Sequence, residues 1–197
     1  MNKNEVRDFH VNKGKGKILD FVDSDQSETD ETNLSENENM LPELLEEISS
    51  VLEAIIRQNK NSKNSENKYI EIFSTKDPSI SIYDYLDRIQ KYLNVNSSTL
   101  ILSLIYIDRI CKEKGIKLRK NNIHRILFTS IVISIKYNED KFCKNSFYAK
   151  VGGISVKELT KMENAFLKLI EFKLFVSDDL YQKYSSYLFC TNKLEHK

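Results

Sequence analysis

From Ile126 to Ile135 every residue is apolar except Thr129, Ser130 and Ser134, so no polar face is left over. A segment apolar on all sides must be buried on all sides. With its neighbours it runs 16 residues, Asn122 to Tyr137, too short and too flanked by charge for the roughly 20 apolar residues a membrane span needs. Its β-branched residues would also suit a buried strand, but its length, the Asn pair at its start and the helical patterns on either side predict a central helix. A charged exit follows at Lys136, Glu139, Asp140 and Lys141.

The surrounding patterns predict further helices. Upstream, Leu41, Leu44, Leu45, Ile48, Val51, Leu52, Ile55 and Ile56 form a stripe at helical spacing over residues 41–59, with Pro42 suited to a first turn. Such a helix either packs on its own domain or is offered to a partner; the reading carried forward is packing. Ser81 and Asp84 make a start signal for a helix burying Ile82, Tyr85, Leu86 and Ile89. Ser97 or Ser98 opens a nearly all-apolar helix that stops at Gly115. Asn145 suits the cap of a short helix carrying Phe147 and Tyr148 and ending at Gly152-Gly153. Ser155 and Glu158 form a capping box for a helix with Leu159, Met162, Phe166, Leu169 and Ile170 inside. Ser177 caps a final helix to about residue 190. The fold class expected is all-α: five helices between 81 and 172, one before them and one after.

Composition changes the picture mainly at the amino end. The whole chain is near neutral, at +1 over 197 residues, yet residues 1–40 carry ten acidic and five basic side chains. That stretch is poor in apolar residues and aperiodic, and is expected to be a disordered acidic tail. Ser27 stands three residues before Asp30, a pattern an acid-directed kinase could use. Residues 60–76 are expected to be a linker, 77–190 the main domain and 191–197 a tail. Three cysteines without metal-like spacing fit a reducing compartment with no disulfide framework, and no secretory leader is expected from Met1–His10.

No residue set calls for chemistry. GKGK at Gly14–Lys17 lacks the context of a phosphate loop. No CxxC or HExxH metal pattern occurs. His124 at the start of the central helix suits a capping or core-edge role better than that of a base. Basic residues are spread out, which disfavours a nucleic-acid groove. Asp108 stands out as a carboxylate in a very apolar helix, where it needs a partner or a route to water. By elimination the expected function is recognition of another protein.

Several stretches carry a resemblance. Ser49–Asn59 (SSVLEAIIRQN), Pro78–Tyr92 (PSISIYDYLDRIQKY), Ile105–Ile110 (IYIDRI), His124–Ile131 (HRILFTSI) and Asn145–Ser155 (NSFYAKVGGIS) together resemble the cyclin box of the P-type (U-type) cyclins. The likeness covers roughly residues 44–188. It implies a single five-helix box, a regulatory subunit of a cyclin-dependent kinase, no catalytic residues of its own, no cofactor and no metal. The implied partner is the kinase in a heterodimer, with no nucleic acid and no membrane, in the cytoplasm, the nucleus or both. The residues implied to contact the kinase are Lys136, on the third box helix, and Glu163, on the fifth. Glu139, Asp140 and Tyr148 beside them complete the expected surface. A helical adaptor holding some other protein on the same fold is the alternative. The arginine with which many cyclins pair the aspartate of the IDR segment is missing from PSISI, so Asp108 has no partner identifiable in the sequence.

Overall fold

A computed structural model of the chain describes residues 37–62 and 67–190, with side chains described from Leu41 to Phe189. Of the expected tail over residues 1–40, residues 37–40 belong instead to the first helix, while residues 1–36, Ser27 included, and the expected tail 191–197 lie outside the described residues. The described residues form seven α-helices in order: α1 (Asn37–Asn59), α2 (Ile82–Leu93), α3 (Ser97–Lys114), α4 (Ile123–Asn138), α5 (Asn145–Gly152), α6 (Val156–Leu169) and α7 (Asp178–Cys190). Among the described residues there is no strand, and no helix is long and apolar enough to cross a membrane.

The all-apolar helix is the centre, as its pattern requires. α4 packs against α3, α6, α2 and a 3-10 turn, and every side chain from Ile126 to Ile135 is buried. Two of its three buried polar side chains find partners, while Ser134 Oγ has none among the described residues. Thr129 Oγ1 donates to the Arg125 carbonyl at 2.7 Å, one turn back. Ser130 Oγ donates to the Ser103 carbonyl of α3, also at 2.7 Å, a cross-helix bond that a small side chain permits at close approach. Asn122 is the N-cap of α4, but its side chain bonds the preceding loop, accepting from Arg119 N and donating to the Lys117 carbonyl.

The amphipathic stripes face inward. α1 buries Leu44, Leu45, Ile48, Leu52 and Ile55 against its own domain, mainly on α2 and α7. It begins four residues earlier than its apolar stripe, so Pro42 sits in the second turn rather than the first. The capping signals at Ser81 and Ser155 form: Ser81 Oγ accepts from Asp84 N, and Ser155 and Glu158 bond reciprocally. α3 starts after Asn96, without a side-chain cap, rather than after a serine.

Within the stretch read as a linker, Ile70–Phe73 form a 3-10 turn. Phe73 is fully buried, edge-on to Phe166 of α6 with ring centroids 6.4 Å apart. One aromatic anchor in a four-residue turn leaves no period to detect, which is why polarity dominated the pattern there. The end of α5 shows why glycine stands at 152. A Cβ there would come within 2.4 Å of the Phe128 ring of α4, which is itself in the core. That close approach seats α5 on the central helix, and Gly153, left-handed at φ 68°, turns the chain into α6.

Candidate functional site

Three elements meet at the carboxyl end of α4. Lys136, in its last turn, forms an ion pair with Glu163 of α6. The Lys136 ammonium also donates to Asn145 Oδ1 at 2.5 Å, and Asn145 Nδ2 donates to Glu163 Oε2 at 2.8 Å. Asn145, the first residue of α5, therefore bridges both charged groups. A lysine has three donors and an ionised carboxylate about four acceptor sites. Within this triangle two of each are used. One N–H and two carboxylate lone pairs remain, on side chains still 27% and 13% exposed. The pair is thus fixed in place and retains bonding capacity toward solvent.

The expected site residues divide. Lys136 and Glu163 come together on one surface. Asp140 is exposed just beyond them. Tyr148 needs correction: it is only 1% exposed and cannot be a surface contact. Its ring lies 5.7 Å from the Lys136 ammonium, as a cation–π support, and its hydroxyl accepts from Cys143 N at 3.0 Å. Burial pushes the Tyr148 phenol up, so it stays neutral. Glu139 also departs from expectation. Its amide closes α4 by bonding the Ile135 carbonyl, and its carboxylate accepts from Thr99 Oγ1 at 2.9 Å. Thr99 lies in the first turn of α3, where a negative charge is favoured by the helix dipole. The sequence predicts only a cap at Asn145; Lys144 holds that position and frees the Asn145 side chain. The one signal for its bridging role was an Asn at a helix start, which capping explains equally well.

Aromatic side chains stand exposed around this surface: Tyr137, Phe142 and Phe147, and further along Phe172 and Phe175. On α6, Glu163 and Leu167 are one turn apart on the same edge, and the Phe172 amide bonds the Leu167 carbonyl, so that edge leads to Phe172. Glu171 and Phe172 are both left-handed, at φ 55° and 56°, which is rare for bulky residues. Such a conformation persists only when its surroundings hold it. Here Arg109 donates to the carbonyls of Lys173 and Phe175, and Tyr106 to that of Leu174. Lys114 and Lys173 pair with Glu171 and hold its carboxyl down at about 2. The result is two large rings held outward on a tethered turn.

Asp108 has a partner that the sequence did not reveal. Tyr184 of α7 donates to Asp108 Oδ2 at 2.5 Å, and Lys112, one turn along α3, lies at 2.6 Å from the same oxygen. Burial, and then the Asp108 charge, push the Tyr184 phenol far up, so it remains a donor. His124 is a core-edge residue: Nε2 bonds the Ile80 carbonyl at 3.0 Å and its ring lies edge-on to Tyr85. Burial lowers its pKa, favouring the neutral ring. Among the described residues no group of His, Cys, Asp and Glu could hold a metal ion. Cys111 and Cys143 are free thiols.

The sequence of this chain matches known proteins over most of its length. The family model described as cyclin matches residues 24–174. Cyclin-U2-1 of Arabidopsis thaliana is 33% identical over 157 residues, 78% of this chain and 71% of that one. Cyclin-U4-1 of the same plant is also 33% identical over 157 residues, 78% of either chain. PHO85 cyclin-7 of Saccharomyces cerevisiae is 42% identical over 124 residues, 57% of this chain and 44% of that one. The chain therefore belongs to the cyclin family, in its P-type and U-type branch.

Proposed function

We propose that this chain binds a cyclin-dependent protein kinase and activates it by holding the kinase's C-helix inward. Cyclins are regulatory subunits rather than enzymes, and the yeast relative is named as the cyclin of a partner, PHO85. The observation that carries the proposal is the Lys136–Glu163–Asn145 triangle, which keeps one donor and two acceptor sites free on a partly exposed pair. The resemblance assigns these two charged residues to backbone groups of the loop before the C-helix. A preformed pair can bond such groups without first reorganising, and charge-assisted bonds at a partly dry interface are about twice as strong as neutral ones. Tyr137, Phe172 and Phe175 supply exposed aromatic surface of the kind that anchors interfaces.

Activation then works by population shift. With the C-helix displaced, a kinase lacks its Lys–Glu ion pair and its complete metal site. A subunit that binds the inward state more tightly moves the equilibrium by its differential affinity, and a change from 1:99 to 99:1 takes about 5.5 kcal/mol. Asp140, exposed beside the pair, attracts a kinase arginine and stands in for part of an activation-loop phosphate. Glu139, committed to Thr99, does not share that role. The complex works in the cytoplasm, the nucleus or both.

The test is co-purification of the full chain with a kinase, followed by phosphorylation assays. A kinase should be recovered and be active, with recovery falling sharply for Lys136→Ala and Glu163→Ala. No kinase, or indifference to both substitutions, would make the chain a helical adaptor for some other protein. Asp140→Ala should lower activity more than recovery; if it alters neither, Asp140 has no part in activation.

A further inference from the structure

On the outer side of α2 and α5 lies an open groove of about 660 Å³. Arg88 and Lys91 of α2 and Lys150 of α5 line it, against a single carboxylate, Asp87. All three cations are exposed, and none is ion-paired within the described residues. Between them lie apolar surfaces: Tyr92, 57% exposed, and Phe147, 41% exposed. A cationic groove with aromatic walls suits an acidic peptide that carries a few apolar residues.

This chain contains such a segment. From Ile18 to Glu36 it has seven carboxylates and no lysine or arginine, with Phe21 and Val22 at the head of the acidic run. Its attachment point is favourable. Glu53, Ile56 and Arg57 at the end of α1 share a pocket with Pro78–Ile82 at the start of α2. The two helices pack together, so α1 runs back along α2, and its amino end is carried toward the end where Arg88, Lys91 and Tyr92 stand. Extended chain reaches about 3.3 Å per residue, so the 19 residues before Asn37 span up to about 60 Å. Tethering raises the local concentration of a segment to about millimolar, enough for a weak electrostatic contact to be occupied.

We infer that the acidic segment Ile18–Glu36 docks in cis on the Arg88–Lys91–Lys150 groove, its carboxylates on the three cations and Phe21 and Val22 against Tyr92 and Phe147. α5 forms one wall of the groove and begins with Asn145, so the docked segment lies beside the Lys136–Glu163 surface. The inference does not depend on which protein uses that surface.

Zero-length carbodiimide coupling of the dilute full chain, with peptide mapping, tests it. Lys91 and Lys150 should join carboxylates of residues 20–36 in the monomer at least fivefold more than Lys157 and Lys161, exposed lysines on α6. Arg88→Glu, an exposed change in the same groove that leaves both coupled lysines in place, should lower those yields at least threefold, as should 1 M salt, where the screening length falls to about 3 Å. Equal yields at the α6 lysines, or yields indifferent to Arg88→Glu, overturn the docking. Links confined to a covalent dimer overturn it too and give the groove to a second copy.

Discussion

Two carboxylates in this fold have closely similar neighbourhoods and opposite prospects. Glu163 is bound by a lysine and an asparagine, Asp108 by a lysine and a tyrosine. The two lysines are about equally exposed, at 27% and 28%. What differs is the third partner. Asn145 lies at the rim of the domain and holds Glu163 from the side. Tyr184 is in the core and, with α7 behind it, covers Asp108. Asp108 joins elements within the chain, while Glu163 keeps acceptor capacity facing outward. A charged group's role is set by what covers it rather than by its immediate ion partner.

The comparison can be broken most directly at Glu163. Glu163→Ala should weaken kinase binding by about 2–5 kcal/mol, the range for truncating one member of an interfacial charged pair, in a titration of the purified components. Its effect on unfolding should stay within about 1 kcal/mol, because the pair is partly solvated. Next in size, Tyr184→Phe should cost about 1–3 kcal/mol in denaturant unfolding, since it leaves a buried carboxylate short of a donor. Kinase affinity per folded molecule should not change. If instead Tyr184→Phe impairs binding and spares stability, the contrast between the two sites is wrong. Asn145→Ala should have a smaller effect, about 1 kcal/mol on affinity, because it removes one positioning bond and leaves both charges. Smallest of all, raising salt from 0.15 to 1 M should weaken the complex without enlarging the Tyr184→Phe stability difference, since buried pairs are screened least.

Sequence patterns made much of this architecture legible because burial has a period. The all-round apolar run identified α4, and the stripes of α2 and α6 contain the side chains found in the core. A serine cap at Ser81 and a capping box at Ser155 fixed two helix starts to the residue. What stayed hidden was contact between distant positions. Tyr184 meets Asp108 across 76 residues, and no local rule links them. Phe73 is a single anchor in a polar stretch. Nothing local marks Tyr148 as buried; the fit of Gly152 against Phe128 draws α5 down and takes the ring inside. For Lys136 and Glu163 the likeness to cyclins supplied the pairing; composition and spacing alone would have left them as two among many surface charges.

The family match ends at residue 174, four residues before α7 begins, whereas Tyr184 and Leu188 are core residues. An expression fragment trimmed to the matched boundaries would uncover the α3 carboxylate and strip an apolar wall from α1. Its poor solubility could then be mistaken for a failing of the box itself. The smallest piece that can stand alone extends through this last helix, and mapping experiments by truncation should keep it.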